Sequence, residues 1–288
     1  MTFRLGIAIA ALHLTCSFGP TQLYGQSALK PAIPYGDNKD AGHYAALNGV
    51  RLYYETYGQG DPLVLIHGNG GNIAFMGPQI EYFRNQYKVI VLDCRGRGKS
   101  ELGEEPLTYM QMTKDVAVLL DSLKVESAYI VGRSDGGIIG LMMGIYFPER
   151  TRKIAAFGAN LTPDATAIYP HIIEEIHADR VHAGEMMKRG DTTTNWRLIR
   201  ELNSLMEFQP HISPDDLRKI KCPVLVMSCD RDVVREEHTL YIYRNIREAN
   251  LCIVPGETHW ITKTDPALFK ATVAKFFSEP FRGEEIRK

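Results

Sequence analysis

The most informative stretch of the chain is Gly132-Arg133-Ser134-Asp135-Gly136-Gly137. It follows the apolar run Ala128–Val131, which is typical of a buried strand, and it precedes the helix-prone run Ile138–Phe147. A G-x-S-x-G segment between a strand and a helix is the pattern of a nucleophile elbow, in which glycines let a cramped turn form and let the helix pack close behind it. The sequence therefore predicts that Ser134 is held out at the carboxyl-terminal edge of a sheet, where it can act as a nucleophile.

Seven further β-prone runs surround this segment. They are His43–Leu47, Val50–Tyr57, Pro62–Ile66, Val89–Leu92, Ile154–Phe157, Val224–Met227 and Leu251–Val254. The first two are separated by Asn48-Gly49, a strong hairpin signal. The later runs are continuously apolar, as expected for parallel strands that helices bury on both faces. We therefore expect one sheet of eight strands, most of them parallel.

Helix-prone segments alternate with these runs. Thr108 and Gln111 form a capping box at the start of a helix that we expect to run to about Leu123. Asp265–Phe277 has the amphipathic pattern of a closing helix. Because strands that alternate with helices are typical of a βαβ series, the predicted fold class is α/β, with a mostly parallel eight-stranded sheet flanked by helices.

Residues 161–221 interrupt this alternation. The segment contains two sets of apolar residues at helical spacing, namely Ile168, Ile172, Ile173 and Ile176, and then Leu198, Ile199, Leu202 and Leu205. An insertion of about 60 helix-prone residues is too long for a simple loop, so we expect it to pack as a small helical cap. The predicted core consists of residues 43–160 and 222–288. Residues 26–42, which are rich in Gly, Pro, Asp and Asn, are predicted to be a flexible leader.

The first 25 residues have the pattern of a secretory signal peptide. Arg4 supplies a positive charge, Leu5–Leu14 is a short apolar run, and small or turn-forming residues follow up to Gly25. The apolar run is shorter than the ~20 residues needed to span a bilayer, so we predict no transmembrane segment. We expect removal of residues 1–25 and a secreted or periplasmic protein, with a lipoprotein anchored through Cys16 as the alternative.

Composition excludes several classes of protein. The hydrophobic fraction of 44% is too high for a disordered chain. Lys and Arg number 33 against 34 Asp and Glu, a net charge of −1, so no basic excess is available to neutralise a nucleic-acid backbone. The chain has the composition of a globular enzyme.

Cysteine spacing points to no metal or redox site. No C-x-x-C pair is present, so neither a zinc ribbon nor a redox motif is predicted. Outside the signal segment, the cysteines lie in or beside apolar runs, where buried free thiols are the expected state; they are Cys94, Cys222, Cys229 and Cys252. If an exported chain forms a disulfide, the pair we would check first is Cys222 with Cys252.

A nucleophilic serine requires a base and a group that stabilises the oxyanion. Of the nine histidines, His259 is the one we expect in a loop after the last strand. The acid should come from the segment after the strand Val224–Met227, which contains both Asp230 and Asp232. The backbone amides of His67-Gly68-Asn69-Gly70-Gly71, which follows the first buried strand, should emerge at the same sheet edge as the serine.

Together these segments resemble the α/β-hydrolase fold superfamily. The resemblance rests on H-G-x-G after a strand, D-x-R-G-x-G-x-S at Asp93–Ser100, the G-x-S-x-G elbow, an acid after the next-to-last strand and a late histidine. It covers about residues 43–280. The Ser134–Gly137 variant is similar to the serine-nucleophile branch that contains valacyclovir hydrolase and other small-ester hydrolases.

The resemblance implies roles for particular residues. Ser134 would be the nucleophile and His259 the general base, and the backbone amides of Asn69 and Asp135 would form the oxyanion hole. No metal and no cofactor are implied.

The resemblance also bears on the choice of acid. Members usually show Gly-x-x-Asp after the acid-bearing strand, and here Cys229 occupies the position of the glycine. This spacing favours Asp232 as the residue that orients His259. We expect Asp230 to cap the following turn or to pair with a surface cation, and Arg133 to form an ordinary salt bridge, with contact to an anionic substrate as the alternative.

The predicted activity is hydrolysis of small carboxylic esters. Alternatives of the same fold are a thioesterase, a lactonase, an amidase, a carbon–carbon bond hydrolase or a non-catalytic, receptor-like binding protein. A dehalogenase or an epoxide hydrolase with an aspartate nucleophile is disfavoured because Ser134 occupies the elbow.

Overall fold

The computed structural model describes residues 33–282, and in this part of the chain eight strands form one sheet. In chain order, strands β1 to β8 are Gly42–Leu47, Val50–Tyr57, Asp61–Ile66, Tyr87–Leu92, Ala128–Arg133, Thr151–Phe157, Val224–Arg231 and Ala249–Thr258. Their order across the sheet is β1-β2-β4-β3-β5-β6-β7-β8. The pairs β1–β2 and β2–β4 are antiparallel and the other neighbours are parallel, which confirms the predicted fold class.

Nine α-helices occur within residues 33–282. Helices α1 to α9 are Gly77–Phe83, Tyr109–Ser122, Asp135–Tyr146, Pro170–Lys188, Trp196–Phe208, Pro214–Leu217, Glu236–Asn245, Ile261–Thr264 and Pro266–Ser278. Two short 3-10 helices lie at Ile73–Met76 and Pro148–Arg150.

Side-chain caps explain where two of the helices, α2 and α9, begin. The hydroxyl of Thr108 accepts from the amide of Gln111 at 3.1 Å, and the side chain of Gln111 accepts from the amide of Thr108 at 2.9 Å. This confirms the predicted capping box of α2. At α9, Asp265 accepts from the amide of Leu268 at 3.0 Å. Both caps satisfy amides that have no partner inside the helix.

Helices bury both faces of the sheet. In β3, Val64 and Ile66 belong to one apolar cluster, and Leu63 and Leu65 belong to another. Successive strand residues point to opposite faces, so each cluster fills one face. Helices α2 and α3 contribute to the first cluster, and α1 and α9 contribute to the second. Burial on both sides explains why these strands are continuously apolar in the sequence.

Helices α4 to α6 lie between β6 and β7, in the segment predicted to form the cap. Helix α5 buries Leu202 and Leu205 in the apolar cluster that it shares with α2 and α3. Just before α4, the amide of Tyr169 donates to the carbonyl of Val233 at 3.3 Å. The beginning of this segment is therefore fastened to the loop that carries Asp232.

Strands β7 and β8 extend further than the apolar pattern predicts. The expected runs were Val224–Met227 and Leu251–Val254, but Arg231 still pairs with Thr258, after a register shift. Asp230 consequently lies in a strand and not in the loop where it was expected. The strand ends are polar, so hydrophobic patterning carries no signal for them.

The described part of the predicted leader, residues 33–42, is anchored to the sheet. Glu55 of β2 is fully buried, and its carboxylate accepts from the amides of Gly36 at 2.9 Å and Asn38 at 3.1 Å. The hydroxyls of Tyr53 and Tyr57 also donate to it, each at 2.8 Å. A buried carboxylate requires such donors, and here a strand residue holds the leader backbone. Composition alone predicts a flexible leader, because composition cannot show that Glu55 binds the leader backbone.

The signal peptide predicted for residues 1–25, and Cys16 with it, lie outside the described residues. Within residues 33–282, no helix combines the length and apolar character needed to span a membrane. The cysteines in this part are all free thiols, so the disulfide considered between Cys222 and Cys252 is not formed.

Candidate active site

Ser134 stands at the turn between β5 and α3 in a backbone conformation that side chains rarely adopt, with φ 54° and ψ −119°. Its amide donates to the carbonyl of Phe157 in β6 at 2.7 Å, and its carbonyl accepts from the amide of Ile138 at 3.1 Å. Strained backbone of this kind persists where the surroundings fix it, and it clusters at functional sites. Among the described residues Ser134 makes no side-chain capping bond to α3, which leaves its hydroxyl available for chemistry.

The glycines of the elbow are required by close backbone approach. A Cβ at Gly132 would lie 1.9 Å from the carbonyl oxygen of Gly136, and a Cβ at Gly136 would lie 2.1 Å from the carbonyl oxygen of Ile66. No side chain fits at such distances. The first residues of α3 therefore pack directly on β5 and β3, which is how the turn presents Ser134 at the sheet edge.

His259 and Asp232 meet at the same edge. The Nδ1 atom of His259, just after β8, lies 2.6 Å from Oδ1 of Asp232, just after β7. The neighbouring residue Gly158 touches this pair, since a Cβ there would lie 2.6 Å from Cε1 of His259. Phe157, which precedes Gly158, accepts the amide of Ser134, so a short backbone path joins the serine to the His–Asp pair.

The surroundings of Asp232 favour its charged form. Burial by itself would raise the pKa of this carboxyl, but His259 and the hydrogen bonds that Asp232 accepts hold its pKa below the usual range. The donors are the amides of Val233 at 2.7 Å and Val234 at 3.3 Å and the hydroxyl of Ser228 at 3.1 Å. Asp232 is thus a fixed anion that can orient His259 and stabilise its protonated form.

Asp230 has a different environment. It is exposed, and its carboxylate accepts from the amide of Gly256 in β8 at 2.7 Å. The expectation that it caps the next turn or pairs with a surface cation is therefore wrong. The register shift near the end of β7 turns Asp230 toward the backbone of β8 instead.

The loop after β3 is held by His67. The amide of Cys94 donates to Nε2 of this histidine at 3.0 Å, and its Nδ1 lies 2.7 Å from the carbonyl oxygen of Gly68. This arrangement requires a neutral ring with the proton on Nδ1. Burial, and then the charge of Arg97, lower the pKa of His67 to about 3, so the ring remains neutral. His67 thus fixes the start of the segment that carries Asn69.

The structure places Asn69 and Asp135 beside Ser134. Asp135 follows the serine as the first residue of α3, and a Cβ at Gly68 would lie only 2.9 Å from Cβ of Ser134. The side chains of the two residues are also joined, since Nδ2 of Asn69 donates to Oδ2 of Asp135 at 3.1 Å. Backbone amides at these positions are suited to bind an oxyanion at the serine.

The buried carboxylate of Asp135 connects four segments. It accepts from Arg97 at 3.0 Å, from the hydroxyl of Tyr109 at 2.9 Å and from Asn69. Asn69 also donates to the carbonyl of Leu202 in α5 at 3.3 Å, which links the network to the predicted cap. Burial raises the pKa of Asp135, and Arg97 opposes that effect. Sequence reasoning missed the roles of Arg97 and Tyr109; the only signal for Arg97 was its place in the Asp93–Ser100 motif.

A small cavity of about 60 Å³ separates Ser134 from the helices of the predicted cap. Its apolar lining comes mainly from Ile168, Ile172, Ile176 and Met206. Ser134 and Tyr109 form part of the polar side. Two other large apolar residues of the predicted cap, Met187 and Phe208, are exposed. The cavity can accept a small apolar group next to the serine.

Arg133 does not form the predicted salt bridge. It makes no ion pair with a carboxylate of residues 33–282; its Nη2 donates to the carbonyl of His259 at 2.9 Å. The guanidinium carbon lies 4.5 Å from the centre of the Trp260 ring. Asp232 and Asp135 attract Arg133 electrostatically, but their oxygens are occupied by other donors.

No metal centre is found in the described part of the chain, where no group of three or more His, Cys, Asp and Glu side chains is placed to hold an ion. One histidine of the cap, His177, lies against Glu207 at 2.8 Å.

Comparison with known proteins agrees with this architecture. A family model described as the alpha/beta hydrolase fold matches residues 61–174, a segment that includes β3 to β6, the loop of Asn69 and the elbow. An enol-lactonase structure from Burkholderia xenovorans LB400 has a TM-score of 0.70 and 22% identity, covering 82% of this chain and 100% of that one. A deep-sea metagenome hydrolase, MGS-M2, has a TM-score of 0.74 and 20% identity, covering 85% and 100%. At such identities the likeness concerns the fold.

Curated proteins of similar sequence carry hydrolase names. A putative carbamate hydrolase RutD from Caulobacter sp. (strain K31) is 27% identical over 264 residues, which cover 79% of this chain and 96% of the relative. Serine hydrolase BPHL from Homo sapiens is 25% identical over 251 residues, 80% of this chain and 83% of the relative. A putative RutD from Azorhizobium caulinodans is 39% identical over 111 residues, 38% of this chain, and that match spans less than half, 42%, of the relative's length. Residues 61–174 thus match the model of the α/β-hydrolase family, and residues 33–282 have the α/β-hydrolase fold.

Proposed function

We propose that this protein is a serine hydrolase that cleaves small carboxylic esters through an acyl-enzyme on Ser134. The observation that carries the proposal is the geometry at one sheet edge. Ser134 occupies the strained elbow, and the hydrogen-bonded pair of His259 and Asp232 stands at the ends of the parallel strands β8 and β7. A strained serine beside a buried His–Asp pair is the arrangement that activates a hydroxyl nucleophile.

In the proposed reaction, Nε2 of His259 takes the hydroxyl proton as Oγ of Ser134 attacks the ester carbonyl carbon. Asp232 holds the ring in the required tautomer and stabilises the imidazolium. The backbone amides of Asn69 and Asp135 donate to the oxyanion of the tetrahedral intermediate. His259 then protonates the leaving alcohol. Water, deprotonated by His259, attacks the acyl-enzyme, releases the carboxylic acid and restores Ser134.

The small apolar cavity next to Ser134 supports short acyl groups as substrates. Its volume of about 60 Å³ lies beneath Ile168, Ile172 and Met206, so a long chain would require these side chains to move. We therefore expect turnover to fall as the acyl chain lengthens beyond a few carbons. Faster hydrolysis of long triglycerides than of butyrate esters would contradict this expectation.

A related attack by the serine can open a lactone or cleave a thioester, an amide or a carbon–carbon bond. Relatives of this chain are named for a carbamate and for an enol-lactone, which is a cyclic ester. A receptor-like protein that binds without turnover is the alternative from another class. Product release from a p-nitrophenyl ester separates the two classes, because a binding protein gives no steady release of p-nitrophenol. When hydrolysis of the acyl-enzyme is slower than its formation, a burst of p-nitrophenol precedes the steady turnover.

The experiment compares the wild-type protein with Ser134→Ala and with Ser278→Ala, which removes an exposed hydroxyl near the end of α9. We expect a burst in the wild type and in Ser278→Ala. Ser134→Ala should show no burst and a kcat lower by about 10⁴ or more. Unchanged turnover in Ser134→Ala would exclude the proposed nucleophile.

We further propose export of the protein, on the pattern of residues 1–25. The expected mature N-terminus is at or near Gln26 after expression of the full gene in a bacterial host. Intact-mass measurement of the exported protein tests this. Retention of residues 1–25 in the active soluble protein would contradict the signal peptide, and a diacylglycerol mass on Cys16 would favour the lipoprotein.

A further inference from the structure

A second pocket, of about 130 Å³, borders the loop that carries Asn69. Its lining includes this loop, Arg133 from the end of β5, Phe75, and Trp260 and Lys263 from the start of α8. Phe75 and Trp260 are 40% and 43% exposed, an unusual state for large rings. Exposed aromatic side chains grouped around one opening are typical of a binding site.

Arg133 lines this pocket, and it is attracted by the charges of Asp232 and Asp135 without a direct ion pair to either of them. It is 8% exposed, yet within residues 33–282 it forms no ion pair, and its Nε atom is buried without a hydrogen-bond partner. Its Nη2 donates only to the carbonyl of His259. A buried guanidinium is costly when its donors are not satisfied, so a bound acceptor would remove that cost.

Lys263 adds a second positive charge at the opening. Its Nζ atom lies 3.9 Å from the centre of the Phe75 ring and 5.1 Å from that of the Trp260 ring, and no carboxylate of the described chain pairs with it. Desolvation, and then repulsion from Arg133, lower the pKa of Lys263. The two cations therefore face a shared volume, where an anion would relieve their repulsion.

The pocket is close to the nucleophile. A Cβ at Gly68 would lie 2.8 Å from Nη1 of Arg133 and 2.9 Å from Cβ of Ser134. Because both atoms lie within 3 Å of one point, they are less than 6 Å apart. Asn69, a proposed oxyanion donor, lines this pocket together with Arg133. A substrate whose ester carbonyl is held by the amide of Asn69 can therefore direct an anionic end toward the guanidinium, provided that only a short spacer separates the two groups.

We propose that Arg133 and Lys263 bind a carboxylate of the substrate, so that the preferred substrates are short esters that carry a carboxylate near the scissile carbonyl. A planar guanidinium matches a carboxylate well, and the aromatic rings cover the spacer. This carboxylate subsite rests on the proposed function in one respect only, since ester hydrolysis identifies the ester as the group of the substrate that reacts. It also predicts that the acid formed by hydrolysis is a dicarboxylate when the anionic group belongs to the acyl part.

The test uses monomethyl succinate and its neutral counterpart of similar shape, methyl 4-methylpentanoate, with the released acid followed by titration. We expect wild-type kcat/KM to favour the anionic ester by about ten-fold or more. Lys263→Met should remove most of that preference, and Arg133→Gln should remove it as well. The matched control is Lys270→Met on α9, where a lysine contacts the ring of Tyr82 outside the pocket and the preference should stay as in the wild type.

Binding to Ser134→Ala separates the subsite from the chemistry. Calorimetry should show that monomethyl succinate binds this variant more tightly than the neutral ester does, and that adding Lys263→Met weakens binding by about ten-fold. Binding with this preference but no turnover in the wild type would overturn the ester hydrolase and leave the subsite standing.

Other outcomes overturn the inference itself. Turnover with equal kcat/KM for the two esters would exclude the carboxylate subsite and leave the hydrolase intact. Inorganic phosphate that competes with monomethyl succinate more strongly than propionate does would exclude a carboxylate as the preferred ligand. A preference that persists in both Lys263→Met and Arg133→Gln would assign it to other residues.

Discussion

The buried carboxylate of Asp135 holds several side chains around Ser134 in place. Arg97, Tyr109 and Asn69 all donate to it, and Asn69 in turn reaches the backbone of α5. The backbone amides of Asn69 and Asp135 are the proposed oxyanion donors, so the side-chain network positions the groups that would bind the oxyanion. Small displacements of such donors are costly, because their effect depends on preorganisation.

The substitution Asp135→Asn tests this network. The amide oxygen can still accept from Tyr109, but Arg97 is left as a buried cation without its counterion. We expect the free energy of unfolding to fall by about 3 kcal/mol, with a lower kcat in the folded fraction. Denaturant titration and steady-state kinetics provide the measurements. Asp37→Asn, which removes an exposed partner of Lys99, is the control and should change neither.

A second prediction concerns the choice of acid. Asp232→Asn should lower kcat by about 10⁴ without unfolding the protein, because the amide cannot hold the tautomer of His259 that accepts the serine proton. Asp230→Asn is the matched control, since its amide oxygen can still accept from Gly256. Circular dichroism establishes folding, and kcat on one activated ester compares the two variants. Loss of activity in Asp230→Asn alone would reverse the assignment.

The sequence predicted the location of Ser134, Asp232 and His259, because each follows a strand of recognisable pattern. Whether these residues act in catalysis stays a prediction until the variants are measured. The partners of Asp135 and the surroundings of Arg133 could not be predicted. Arg97 lies in a loop and Tyr109 begins a helix, and neither hydrophobic period nor motif spacing specifies which buried carboxylate they reach.

At the level of elements, close packing on the sheet constrains the first turn of helix α3. The helix packs so closely on β3 and β5 that the carbonyl oxygen of Ile66 would lie 2.1 Å from a Cβ at Gly136. Helix α4 of the predicted cap is under no such constraint at Gly184, where a Cβ would meet nothing within 4 Å.

The two glycines therefore predict opposite results for the same substitution. Gly136→Ala should lower the free energy of unfolding by about 3 kcal/mol or more, because the helix must move away from the sheet. Gly184→Ala should raise it by up to about 1 kcal/mol, because alanine loses less backbone entropy in a helix. Denaturant midpoints of the two variants check this. Equal stability of both variants would show that the packing at the elbow is looser than described.

Apolar strands and capped helices were predicted closely, since burial on both faces and capping side chains leave local signals. The strand ends were not predicted. The end of β7 beyond Met227 and the end of β8 beyond Val254 are formed by polar residues whose pairing depends on the neighbouring strand. That error placed Asp230 in a loop and gave it the wrong partner.

At the scale of the whole molecule, two buried neutral histidines of the described residues contribute to the loss of stability in acid. His67 accepts from the amide of Cys94, and His238 accepts from the amide of Leu161 at 2.9 Å, each through Nε2. Burial lowers the pKa of His67 to about 3 and that of His238 to about 4. Between these values and about 6.5, the unfolded chain binds protons that the folded chain does not.

The sign of the pH dependence follows directly. Above about pH 6.5 neither histidine lowers the free energy of unfolding. As the pH falls from about 6.5 toward 4, each of them lowers that free energy by up to about 1.4 kcal/mol per pH unit. His238→Gln, whose amide oxygen can accept the same backbone bond, should flatten this dependence. Unfolding free energies measured between pH 4 and 7 test it. Equal slopes in the wild type and the variant would contradict the neutral, buried state of His238.

The claim on which the account depends is that Ser134 is an activated nucleophile. Reaction of the native protein with a fluorophosphonate, followed by peptide mass mapping, tests this most directly, because stable phosphonylation requires an activated hydroxyl. We predict one adduct, on the peptide that contains Ser134, and none in Ser134→Ala. An unmodified native protein, or an adduct on another residue that persists in Ser134→Ala, would contradict the account.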